Sequence, residues 1–109
     1  NVTFDGSTFA DLAPRLKAAR LVISVDTALM HLAIALGAPT LGLASAAYVG
    51  EIVPYAPEIT PDNAHMIHQP MDCQGCLGDC RKEKIDGMYL CVATLDRDRI
   101  MAIVQSILR

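Results

Sequence analysis

The feature that most constrains the fold is the stretch LVISVDTALMHLAIALGAPTLGL, from Leu21 to Leu43. Leu21 to Val25 is an apolar, β-branched run of the kind a strand buried on both faces needs. Asp26 or Thr27 can cap a helix, because either side chain can accept from a free first-turn N–H. Leu29, Leu32, Ala33 and Leu36 follow at i, i+3, i+4, i+7 spacing and make one helix face. Gly37 supplies the residue that ends the helix and Pro39 prevents continuation. Thr40 to Leu43 is the next strand. Two strands joined by a helix form a βαβ unit, which predicts parallel strands and a right-handed crossover.

That unit places a turn at the carboxyl end of a strand and the amino end of a helix. First-turn N–H groups are unpaired there and the helix dipole is positive, so a diphosphate or similar anion is favoured. Thr27 and His31 are four apart and share a helix face. The His31 side chain is expected to lean back over the turn. Each residue also has a plain structural reading: Asp26 as a helix cap and nothing more, His31 as an ordinary helix histidine.

The segment SVDTALMHLAIALGAPTLGL resembles the signature of the heptosyltransferase family, glycosyltransferase family 9, of GT-B architecture. The matching residues are Asp26, Thr27, Ala28, His31, Leu32, Ala33, Gly37 and Pro39. The preceding strand and helix, the later cysteines and a final amphipathic helix fall in family order. Many members carry Gly where this chain has Ala28, whose Cβ would hold a phosphate slightly further from the backbone. The resemblance implies the carboxyl-terminal, donor-binding half of a two-domain enzyme. The donor would be a nucleotide-diphospho-sugar such as ADP-heptose, and the acceptor a glycan or lipopolysaccharide. Asp26, Thr27, Ala28, Leu29 and His31 would bind the donor, with His31 catalytic as a hydrogen-bond donor or cation toward the departing diphosphate. No cofactor is implied for that step. The acceptor-binding domain and its general base would lie outside this chain, which alone is expected to be inactive. The enzyme would work in the cytoplasm or at the inner face of the membrane, with peripheral membrane association in reach of the full-length protein.

The remaining sequence fits a single Rossmann-like domain over residues 1–109. Expected is a three-layer α/β/α arrangement around a short parallel sheet of about four strands. Asn1 to Phe4 reads as a first short strand. Thr8 can cap a helix carrying Phe9, Leu12, Ala13, Leu16 and Ala19, with a kink or a late start caused by Pro14. Ser45 to Asp62 contains Pro54, Pro57, Pro61 and Gly50, which excludes regular structure. Because this loop follows a strand's carboxyl end, Ser45 to Tyr48 could line the donor site, although a plain surface connection reads as well. Ala64 to His68 is the fourth strand, and its two histidines would face opposite sides and not chelate together. Thr94 or Asp96 caps a last helix, with Ile100, Ile103, Val104, Ile107 and Leu108 toward the sheet.

A net charge of −3 advertises no polyanion-binding surface, which argues against a nucleic-acid partner. No apolar run approaches the ~20 residues of a membrane span, and no signal peptide is evident. The chain opens on Asn1 rather than Met, as an excised domain would. The loop over residues 69–91 is rich in cysteine: Cys73, Cys76, Cys80 and Cys91 are spaced C-x2-C-x3-C-x10-C among Gly75, Gly78 and Gly87. Four thiolates so placed could enclose one tetrahedral metal, and the spacing favours structural zinc. The spacing matches none of the common ferredoxin runs. Free thiols or disulfides formed in air are the other readings. A non-catalytic α/β module with a structural four-cysteine metal site is the alternative to the transferase. A redox domain built on Cys73 and Cys76 is weaker still, since this C-x-x-C does not open a helix after a strand.

Overall fold

A computed structural model describes residues 2–109. The order of elements is α1 (Phe9–Ala18), β1 (Val22–Val25), α2 (Ala28–Ala35), β2 (Thr40–Leu43), a 3-10 turn (Pro57–Ile59), β3 (Ala64–Ile67), α3 (Leu90–Ala93) and α4 (Arg97–Leu108). The three strands form one parallel sheet in the order β1-β2-β3, with Val22 opposite Thr40 and Thr40 opposite Ala64. The fold is α/β and Rossmann-like, as expected, with three strands where about four were expected. The missing one is the expected Asn1–Phe4 strand. Asn1 lies outside the described residues. Val2 and Phe4 pair with no strand and stand 100% and 94% exposed, so nothing rewards an extended ladder there.

Helix α2 is where local chemistry is clearest. Leu36 is its last half-helical residue, and Gly37 follows at φ +81. The Gly37 N–H donates to the Ile34 carbonyl and the Ala38 N–H to the Ala33 carbonyl, both at 3.0 Å. These two bonds make a Schellman stop, which needs a left-handed residue at the glycine. Asn63 Nδ2 donates to the Gly37 carbonyl at 3.0 Å and ties the stop to the start of β3.

The buried arc of α2 is wider than the single face expected from its spacing. Met30 and Ile34 pack with Ala44, Val53 and Ala64 in one cluster, while Ala33 packs with Leu16, Val22 and Ala38 in another. The helix is wedged between the sheet and α1, so apolar residues serve it on two sides. Thr8 caps α1, its side chain accepting from the Asp11 N–H at 3.3 Å. Pro14 sits inside α1 without delaying its start, which stays at Phe9.

Of the two cap candidates for the last helix, Asp96 serves: Oδ1 accepts from the Arg99 N–H at 3.0 Å. Thr94 instead donates back to the Leu90 carbonyl at 2.7 Å and closes α3, a short turn that the sequence pattern does not separate from the loop. Helix α4 was expected to close the domain, yet it buries none of its residues. It is fastened by Arg20 Nη2 donating to the Leu108 carbonyl at 2.9 Å, and Arg99 and Ile103 border a groove along β3. Val22 and Ser24 of β1 are buried while Ile23 and Val25 remain about half exposed, so β1 is buried on one face and not on both as its apolar run suggested.

Candidate functional site

The turn between β1 and α2 carries the site. Thr27 occupies the N-cap position in extended conformation (φ −123, ψ 175), and its side chain makes no capping bond. The Thr27 carbonyl accepts from the Met30 and His31 N–H groups at 3.0 and 3.4 Å. The N–H groups of Ala28 and Leu29 open the helix and have no intrahelical acceptor. Thr27 and Ala28 are exposed, and Asp26, Leu29 and His31 are half-buried. Unused donors, a hydroxyl and the positive end of a helix thus face outward together.

Asp26 does not cap the helix, contrary to one reading of the sequence. Its Oδ2 accepts from both the Ser45 N–H, at 3.3 Å, and the Ser45 hydroxyl, at 3.1 Å. Ser45 lies just past the end of β2, and parallel pairing with β1 brings the two carboxyl ends side by side. The carboxylate therefore clamps the Ser45–Tyr48 segment against the turn. Ser45 was among the residues the sequence offered for this site. The other carboxylate oxygen, Oδ1, accepts no bond among the described residues.

His31 has a partner that sequence reasoning missed. Its Nδ1 shares a hydrogen bond with the Tyr55 hydroxyl, and the two rings stack with centroids 5.6 Å apart and planes 11° from parallel. Tyr55 packs beside the cluster around Met30, and burial raises its phenol above the ordinary value. At neutral pH the hydroxyl keeps its proton and can donate to neutral His31 or accept from the imidazolium. The available signal was an aromatic residue in a proline-rich loop that follows a strand's carboxyl end.

The four cysteines converge although they come from two segments. Cys73, Cys76, Cys80 and Cys91 all line one cavity of about 160 Å³, together with Ser45, Ala46 and Lys82. All four are free and half-buried. Lys82 Nζ donates to Asp72 Oδ1 at 2.9 Å, and this bond lowers the Asp72 carboxyl and raises the Lys82 ammonium. Among the described residues no three His, Cys, Asp or Glu side chains stand close enough to hold a metal ion as they are. His65 lies on β3 and His68 just beyond it, and neither joins the site.

A Rossmann-like domain with an open anion-receptive turn at a strand's carboxyl end is the class these features define. Residues 7–82 match the family model of glycosyltransferase family 9 (heptosyltransferase). The chain belongs to that family, and with it to the glycosyltransferases. The matched region contains the whole β1-α2-β2 unit and the first three cysteines. Comparison with curated proteins and with solved structures finds no match.

Proposed function

We propose that this chain is the donor-binding half of a heptosyltransferase-like enzyme that transfers a sugar from a nucleotide-diphospho-sugar. The observation that carries the reading is the unused amino end of α2: Thr27 stands at the N-cap without capping, and His31 follows one turn on. A diphosphate seated there takes hydrogen bonds from the Ala28 and Leu29 N–H groups and the Thr27 hydroxyl. His31, held by Tyr55, supplies a further donor or a positive charge. Asp26 keeps Oδ1 for a hydroxyl of the sugar while Oδ2 is engaged by Ser45.

The chemistry on this reading is inverting. A base on a separate acceptor-binding domain takes the proton of the acceptor hydroxyl, and the oxygen attacks the anomeric carbon as the diphosphate leaves. Negative charge grows on the departing oxygen, and fixed donors aimed at it lower the barrier. These donors serve the departing group without a cofactor. ADP-heptose is the donor and a lipopolysaccharide or related glycan the acceptor that family membership favours. No helix among the described residues is long and apolar enough to cross a membrane. A cytoplasmic enzyme associated peripherally with the inner face fits that acceptor. The chain by itself would bind donor and transfer nothing.

Titration calorimetry of the full-length protein with ADP, UDP, GDP and their sugar conjugates tests the proposal. One diphosphate should bind, and His31→Ala should weaken it roughly tenfold to a hundredfold, the range for a lost bond to a charged group. Absence of binding to all of them, or an unchanged affinity in His31→Ala, would overturn the assignment. A non-catalytic α/β module would give the first of those results.

A further inference from the structure

The thiols of the cavity take no part in the donor reading, and its construction is specific. Three of its cysteines come from one loop that curls back on itself. Gly75, Leu77 and Gly78 all take left-handed backbone angles, φ +84, +58 and +94. For Leu77, which carries a Cβ, that conformation is sterically disfavoured. Its side chain is 56% exposed, so burial does not offset the cost. The conformation is held from outside: the Gly75 N–H donates to the Ala46 carbonyl at 2.8 Å and the Leu77 N–H to the Ala47 carbonyl at 2.9 Å. The Asp79 N–H closes the curl on the Cys76 carbonyl at 3.1 Å. The result turns Cys73, Cys76 and Cys80 toward the same space, and α3 brings Cys91 to the same cavity.

No carboxylate and no imidazole lines this space. Beside the hydroxyls of Ser45, Tyr48 and Tyr89 and the Lys82 ammonium, its donors are four thiols, which select soft or borderline cations over magnesium or calcium. We infer that Cys73, Cys76, Cys80 and Cys91 form a four-thiolate site for a single zinc ion, seated between the Cys73–Cys80 loop and the first turn of α3. The thiols line a common cavity but do not yet share a coordination sphere, so uptake of the ion draws loop and helix together across it. Each bound thiol releases its proton and the four sulfurs complete a tetrahedron. The site then fastens α3 and the chain leading to α4, which the apolar packing leaves loosely held. It also stiffens Ala46 and Ala47, next to the Ser45 that clasps Asp26. The site stands whether or not the donor assignment does.

The test is metal content of the protein purified without oxygen, followed by chelation and reconstitution with Co²⁺. Expected are one zinc per chain, thiolate-to-cobalt charge transfer with tetrahedral ligand-field bands on reconstitution, and four thiols shielded from alkylation by added Zn²⁺. Cys80→Ser should weaken Co²⁺ binding about 100-fold or more, beyond the loss seen for outer-shell changes. Circular dichroism of the unaltered, chelated protein establishes that the chain measured is folded. A folded chain that gives no thiolate charge transfer, or whose four thiols alkylate equally fast with and without Zn²⁺, overturns the inference. So does recovery of the cysteines as disulfides from anaerobic material.

Discussion

Gly42→Ala is the most demanding check on the packing that carries the site. Gly42 lies in the middle of β2, opposite Ser24 on one side and Met66 on the other. A Cβ built there overlaps Met30 Sδ and comes within 3.3 Å of Met30 Cγ and 3.4 Å of Met66 Cγ. Two effects compete. Replacing Gly by Ala restricts the unfolded chain and favours folding by about 0.4–1 kcal/mol. Overfilling a close-packed core costs about 1–3 kcal/mol. Methionine is flexible, but Met30 is 0% exposed and is enclosed by Ile34, Ala44, Val53 and Ala64, so it cannot swing into water. The overlap therefore wins, and the net loss should be about 1–2 kcal/mol. Urea unfolding should show a lower midpoint at unchanged slope. The same substitution in a Met30→Ala background should be neutral or stabilising, since the obstructing side chain is gone. That difference is a coupling of about 1–3 kcal/mol between the two positions. A Gly42→Ala protein as stable as the parent, or a cost that survives Met30→Ala, would refute the reasoning. Met30 adjoins His31 on α2, so the strain should also reach the His31–Tyr55 contact.

Thr40 is 0% exposed and its hydroxyl donates to the buried Ala38 carbonyl at 2.8 Å. Thr40→Val keeps the shape and strands that carbonyl, so unfolding should show a loss of about 1–2 kcal/mol; an unchanged midpoint would mean the bond contributes nothing. Tyr55 gives a pH dependence. Burial raises its folded value above the unfolded one near ~10, so its neutral form is the favoured one in the fold. The stability this gives is full below pH ~10 and is lost as pH rises through the folded value. Alkaline absorbance titration should show one of the three tyrosines ionising late, and Tyr55→Phe should remove that phase and flatten the alkaline loss of stability.

The sequence was most legible where the physics is local. Thr8 and Asp96 act as caps because a short polar side chain meets a free N–H three residues on. The Asp86-Gly87 pair carries a turn signal of the same local kind. Ile85 and Met88 exchange two 2.9 Å bonds around Asp86 and Gly87, both left-handed, which is the Asp-Gly hairpin pattern. The expected first strand failed for the opposite reason: extended preference in Val2 to Phe4 creates no strand without a neighbour to pair with.

By itself the sequence determined the strand–helix–strand order of β1, α2 and β2, the Gly37 stop and the Thr8 cap. Each depends on preferences acting within about one turn of chain. Only the tertiary structure decided what those parts meet. Asp26 finds Ser45 because sheet register sets two strand ends side by side, nineteen residues apart in sequence. His31 finds Tyr55 because an irregular loop folds back over α2. The four thiols reach one cavity because a left-handed curl and a separate helix close on the same side. Such meetings depend on how distant segments pack, and no local propensity encodes the partner.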